Sequence, residues 1–141
     1  MKAASMQAKK ATSENGVEAS PVIFVVDDEP MLLELASAIL KPLGFEVETF
    51  RDPRAAVTAF AETELAPVLV ITDYSMHQMN GLEMIGAFRK VNPKQKVLMV
   101  SGTVDEHIYR HANAKQKPNQ FLAKPYIAAH FTRLVREMLE G

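Results

Sequence analysis

Apolar positions along this chain come in short runs, each closed by a polar residue, and the runs alternate with stretches where apolar side chains recur every three or four positions. Val22-Ile23-Phe24-Val25-Val26 ends at Asp27-Asp28, Val68-Leu69-Val70-Ile71-Thr72 ends at Asp73, and Phe121-Leu122-Ala123 ends at Lys124-Pro125. Unbroken apolar runs are what a strand carries when both its faces are covered, so these segments predict inner strands of a parallel sheet. Two more strands are expected at 46–50 and at 97–100, the latter stopping at Ser101-Gly102. Val47 and Thr49 alternate with charged neighbours, as on an edge or near-edge strand. Five alternations of strand and helix from Pro21 onward predict a doubly wound α/β domain.

Helix punctuation is specific. Pro30 falls where a first helical residue belongs and Gly44 where a left-handed C-terminal cap belongs, which brackets a helix over about 30–43 with Pro42 distorting its last turn. Asp52-Pro53 supplies a cap and a first-turn proline for a helix to about residue 61. Asn80-Gly81 marks a turn into a third helix over about 82–91, after a loop over 74–80. A fourth helical segment spans about 104–114, with its end weakened by Asn113 and Lys115-Gln116-Lys117-Pro118. The last helix aligns Ile127, Phe131, Leu134, Val135 and Met138 on one face. Residues 1–20 show no period that would bury a face and read as a flexible tail, leaving 21–141 as one domain.

Composition narrows the possible functions. A chain of 141 residues, 48% of them apolar, buries a real core but not a second domain. A net charge of −1 without a basic stripe argues against direct nucleic-acid binding. The absence of cysteine excludes disulfides and thiol chemistry, and no apolar stretch is long enough for a signal peptide or a membrane span. A cytoplasmic location is expected.

Carboxyl-terminal strand ends of an open parallel sheet meet along one rim, so Asp27, Asp28, Asp73 and Lys124 are expected in a single crevice. Three acids and one lysine suit a divalent cation and a phosphoryl group. Each residue alone has a plainer reading. Asp27-Asp28 before Pro30 suits a helix N-cap, Asp73 and Ser101-Gly102 suit turns, and Lys124 suits a solvated charge. His107 and His111 lie four apart, but no third ligand accompanies them, and an exposed helix face is the expected reading. The eight methionines, Met76, Met79, Met84 and Met99 among them, are expected to pack the core and the site loops.

Together, Val-Val-Asp27-Asp28-Glu29-Pro, Ile-Thr-Asp73-Tyr-Ser-Met, Met79-Asn80-Gly81, Val100-Ser101-Gly102 and Phe121-Leu-Ala-Lys124-Pro125 resemble the receiver domain of two-component response regulators. The resemblance implies a flavodoxin-like (βα)5 fold with a five-stranded parallel sheet of order 2-1-3-4-5. It implies that Asp73 accepts a phosphoryl group from a phosphohistidine on a histidine kinase or histidine phosphotransfer protein. Asp27, Asp28, Asp73 and the Ser75 carbonyl would hold Mg2+. Lys124 would pair with Asp73 and then with the phosphoryl group, and Ser101 would donate its hydroxyl to that group. The Lys124–Pro125 bond would be cis. Ser101 and Phe121 would form a switch that repacks a partner surface carrying His107, Ile108, His111 and Tyr126.

The chain departs from the family's common pattern, with Ser101 where many members have threonine and Phe121 where many have tyrosine or another aromatic. His77 stands where members commonly have proline, and Lys117-Pro118-Asn119 replaces a small Gly-Ala step before the last strand. A stand-alone phosphorylation switch, self-catalysing transfer rather than turning over as an enzyme, is the expected function; a receiver cut from a longer regulator or hybrid kinase would look the same. Two rivals remain: a Mg2+-dependent aspartyl-phosphate phosphohydrolase, and a binding module of this fold that works without phosphorylation. Against the first, Asp73 is followed by Tyr74 and Ser75 rather than by the Asp-x-Asp pattern.

Overall fold

The computed structural model describes residues 11–12, 18–102, 108 and 110–140. Five parallel strands, β1 (Val22–Val26), β2 (Glu46–Phe50), β3 (Leu69–Thr72), β4 (Val97–Gly102) and β5 (Gln120–Lys124), form one sheet in the order 2-1-3-4-5. Near the N-terminus, Ala11–Thr12 pairs antiparallel with Glu18–Ala19.

The strand period of two divides each inner strand between two cores. Ile23, Val25, Leu69, Ile71, Leu98, Val100 and Leu122 face helix α1 (Pro30–Leu40) and the C-terminal helix (Ala128–Glu140). Phe24, Val26, Val70, Val97 and Met99 face α2 (Pro53–Glu62) and α3 (Gly81–Val91). Phe24 packs against Phe50 and Phe60, and Phe60 stacks on Phe88 with ring centroids 4.4 Å apart. Met84 and Met99 are fully buried core residues, as expected, whereas Met31 is 80% exposed.

Local chemistry sets the element ends. Pro30 opens α1, whose α-geometry stops at Leu40. A 3-10 turn over Lys41–Leu43 carries Pro42, and Gly44, with φ 99°, closes it in the left-handed region that lacks a Cβ penalty. Asp52 caps α2 by accepting from the Arg54 N–H at 2.9 Å. Asn80 and Glu83 form a reciprocal capping box at the start of α3, a signature present in the sequence as Asn-x-x-Glu.

Three boundaries differ from expectation. Strand β4 runs on through Ser101 and Gly102, because these pair in register with Ala123 and Lys124. Ile127 precedes the C-terminal helix and is 70% exposed, so it does not share the face buried by Phe131 and Val135; its carbonyl accepts the His130 and Phe131 N–H groups. Of the expected 104–114 helix, residues 104–107 and 109 lie outside the described residues; Ile108 and Arg110 are helical, while 111–114 are turn and coil, so the helix ends before Ala114. Beyond it, Asn113 accepts from the Lys115 and Gln116 N–H groups, turning the chain. Arg89 then ties α3 to this loop, donating to the carbonyls of Gln95, Ala114 and Lys117 and to the Asn119 side chain.

Phe88 is fully buried and half of the ring stack that joins α2 to α3. Phe88→Ala is expected to cost about 3–5 kcal/mol of stability, read as a lower urea midpoint.

Candidate functional site

Backbone pairing carries the acids to the sheet rim. The Asp27 N–H donates to the Phe50 carbonyl and the Asp73 N–H to the Val26 carbonyl, so each acid sits one residue past its strand but still on the ladder. Asp27, Asp28 and Asp73 bring carboxylate oxygens within 4.8 Å of one another. Lys124, the last residue of β5, places its ammonium 3.1 Å from Asp27 Oδ2, 3.2 Å from Asp73 Oδ2 and 3.8 Å from Glu29 Oε1. The following Lys124–Pro125 peptide is cis. The Ser101 hydroxyl, itself buried, donates to Asp73 Oδ1 at 2.7 Å, and the Tyr74 N–H donates to the same oxygen at 2.7 Å.

These contacts decide between readings that the sequence leaves open. Helix α1 is capped at Glu29 without any side-chain hydrogen bond, so the Asp pair does not serve as its N-cap. Asp27 Oδ1 instead accepts the Glu29 N–H at 3.0 Å. Asp73 is buried and Lys124 only 21% exposed, which fits neither a plain turn residue nor a solvated charge. Ser75 lies two residues past Asp73, exposed in the 73–80 loop.

Charge in the crevice is unbalanced, with three carboxylates against one ammonium. Burial pushes the Asp27 carboxyl above the ordinary carboxylate range, further than the Glu29 N–H and Lys124 lower it, and Asp73 adds to the rise. Burial alone would lower the Lys124 ammonium, but the Asp27 and Asp73 charges outweigh it and hold it above the usual lysine value. Beneath these groups lies a cavity of about 20 Å³, bounded on its apolar side by Leu32, Ile71 and Phe131. Tyr126, expected on the partner surface, is half-buried along this cavity and stacks on Phe131 at 5.0 Å; burial raises its phenol. A set of hard oxygen donors with excess negative charge fits Mg2+ in preference to softer ions.

Two residues of the site carry roles that sequence reasoning does not reach. Gly81 reads as a turn glycine, yet a Cβ there would lie 2.3 Å from the Asp73 carbonyl oxygen, so α3 can start against Asp73 only without a side chain. Its N–H donates to the Tyr74 carbonyl at 2.8 Å. His77 brings Nδ1 to 3.2 Å from Asp28 Oδ2. The spacing of four residues after Asp73 is the only sequence signal for that contact. Of the two-histidine spacing on the fourth helix, His107 lies outside the described residues and His111 is exposed.

An open, doubly wound parallel sheet of order 2-1-3-4-5, with an acidic crevice and a lysine at the carboxyl ends of its strands, is a flavodoxin-like α/β domain. The chain belongs to the response regulator receiver domain family, whose profile matches residues 23–136. It is 28% identical over 119 residues to the probable transcriptional regulatory protein TcrX of Mycobacterium tuberculosis, covering 83% of this chain and 49% of that one. A receiver domain protein from Clostridium thermocellum superposes with a TM-score of 0.77 at 25% identity, over 85% of this chain and 94% of that one. The response regulator TrrA of Thermotoga maritima, solved with Mg2+ and a beryllium fluoride, matches with a TM-score of 0.72 at 27% identity, over 84% and 99% of the two chains. The chain spans half or less of the length of the transcriptional and kinase relatives it matches. Its acidic triad is typical of Mg2+-binding receiver sites. Among the described residues no helix is long and apolar enough to cross a membrane.

Two outcomes follow from this geometry. Gly81→Ala is expected to lose about 1–3 kcal/mol of stability through forced overpacking, whereas Gly102→Ala, with nothing within 4 Å of its added carbon, should not. Thermal unfolding of the pair makes the comparison. Because the folded Asp27 pKa lies above its unfolded value, the native state binds more protons between the two values, and Asp27 subtracts stability as pH rises through that window. In metal-free buffer Asp27→Asn should therefore be more stable than wild type at neutral pH, and the gain should shrink as pH falls toward the unfolded carboxylate value of 3.8.

Proposed function

We propose that this domain accepts a phosphoryl group on Asp73 from a phosphohistidine of a histidine kinase or histidine phosphotransfer protein, and passes the change on through protein contacts. The observation that carries the reading is the convergence of Ser101, Lys124, Asp27 and Asp28 on one buried carboxylate. A carboxylate and a phosphoryl group repel one another, so charge must be neutralised before attack. Mg2+, when bound, supplies Lewis-acid stabilisation of the phosphoryl oxygens. Asp27, Asp28, Asp73 and the Ser75 carbonyl are the residues to hold it.

In the transfer, an Asp73 carboxylate oxygen bonds to phosphorus as the phosphorus–nitrogen bond of the donor breaks. The bonding pair stays on the donor imidazole nitrogen, which takes up a proton. Lys124, already beside Asp73, pairs with a phosphoryl oxygen, and Ser101 redirects its hydroxyl from Asp73 to another. The added charge of about −1.5 to −2 must be met by such donors. Movement of Ser101 opens space on the α3 side of β4, where half-buried Phe121 packs, and rotation of that ring makes the two-position element a switch requires. Ile108 and His111, both exposed, belong to the surface this repacking reaches; His107 lies outside the described residues. Later loss of the phosphoryl group to water resets the domain. Transfer occurs once per cycle, so the protein does not act as a conventional enzyme.

Incubation with Mg2+ and acetyl phosphate, read by intact mass, tests the assignment. Wild type should gain one phosphoryl group and Asp73→Asn none; Lys124→Ala should label about 10²–10³-fold more slowly. Equal labelling of wild type and Asp73→Asn would overturn it. Sustained turnover of phosphate monoesters would point to a phosphohydrolase, and partner binding unchanged by Asp73→Asn to a phosphorylation-independent module.

A further inference from the structure

Lys124 must keep its ammonium in one place, and its side chain is poorly suited to that. The lysine stem is flexible, and holding it in one rotamer costs as much entropy as almost any side chain loses. The ammonium lies 3.1 Å from Asp27 Oδ2 and 3.2 Å from Asp73 Oδ2, with Glu29 farther off at 3.8 Å. These contacts hold the head of the chain. The stem has to be held by packing, and with the side chain only 21% exposed most of it lies inside. Beside it is the cavity of about 20 Å³, room for about one water, which Tyr126 and Phe131 also border.

Local structure places the Tyr126 ring there. The Ile127 carbonyl accepts the His130 and Phe131 N–H groups, which starts the C-terminal helix and brings Phe131 back onto Tyr126. The two rings lie 5.0 Å apart and 19° from parallel. Phe131 is fully buried in the core shared by β1, α1 and the C-terminal helix, so Tyr126 is braced by a ring that close packing keeps still. Burial raises the Tyr126 phenol, the Lys124 charge opposes that rise and the Asp27 charge adds to it, so both charged groups act on this side chain.

We propose that Tyr126 is a positioning residue for phosphoryl transfer: its ring, braced by Phe131, walls the cavity beside Lys124 and keeps the ammonium on Asp73. The inference rests on the reading of Asp73 as the phosphoacceptor. Removing the ring enlarges a cavity that otherwise has room for about one water. Water entering there offers the ammonium other partners and frees the stem to take other rotamers. Fewer molecules then hold Lys124 ready to pair with a phosphoryl oxygen. The ring does this rather than the hydroxyl, so phenylalanine should serve as well.

Labelling of the full chain by acetyl phosphate with Mg2+, timed by intact mass, tests the proposal in a double-mutant cycle. Tyr126→Phe should label within about twofold of wild type, and Tyr126→Ala about tenfold more slowly. In a Lys124→Ala background, Tyr126→Ala should change the rate by less than about twofold, because no ammonium is left to position. A merely structural role would slow both backgrounds alike. If Tyr126→Ala does not fold, Tyr126→Leu, which keeps apolar bulk without a ring to stack, replaces it and should slow labelling in the same background-dependent way. As a second readout in metal-free buffer, the Lys124 ammonium protons, followed by NMR, should exchange with water faster in either variant than in wild type. Wild-type labelling and exchange in the variant that folds, or equal slowing in both backgrounds, would overturn the proposal. If wild type and Asp73→Asn label equally, the phosphoacceptor reading fails instead, and the exchange measurement still decides whether Tyr126 holds Lys124.

Discussion

Lys124 stands between Asp27 and Asp73 at hydrogen-bonding distance from both, and its single positive charge faces three carboxylates. That imbalance governs the crevice. Burial raises the cost of leaving Asp27 ionised, while the same burial strengthens every interaction an incoming cation would make. A cation entering the crevice would therefore offset the repulsion among its carboxylates. Asp27 and Asp73 together hold the Lys124 ammonium above the usual lysine value despite its burial, so it stays charged beside them.

A crevice under such repulsion needs rigid walls. They come from the sheet, whose inner strands are buried on both faces, and from the continuation of strand hydrogen bonding into the acids themselves. Asp27 and Asp73 are fastened to the backbones of Phe50 and Val26, so carboxylate positions follow strand register rather than loop conformation. Gly81 completes the wall by letting α3 begin against the Asp73 carbonyl. The capping box of Asn80 and Glu83 then anchors the far end of the 73–80 loop. Between these fixed ends the loop carries Ser75 and His77, both exposed to solvent.

The same rim occurs in proteins of different overall length. TcrX shares the receiver region within a chain about twice as long, and TrrA shares it over nearly its whole chain. A self-contained double core explains this portability, because the site depends on strand ends and adjacent loops that the domain supplies by itself.

Strand and helix order, the unbroken apolar runs, the caps at Gly44 and Asp52 and the turn at Asn80-Gly81 were legible residue by residue, because each reports a local rule of period or backbone conformation. From these, with the rule that parallel strands end along one rim, followed the meeting of Asp27, Asp28, Asp73 and Lys124. The extension of β4 through Ser101-Gly102 was not legible, since a turn-like dipeptide pairs only when β5 arrives beside it. Ile127 kept the helical period yet faces solvent, because the helix begins one residue later. The reason for Gly81, the His77–Asp28 contact and the clamp made by Arg89 belong to tertiary structure alone. Each joins atoms that no local rule brings together, through close approach of two backbones or through side chains reaching across elements. The sequence by itself determined which residues lie on the rim; packing decided how far apart their atoms stand, and so how much charge the rim must share.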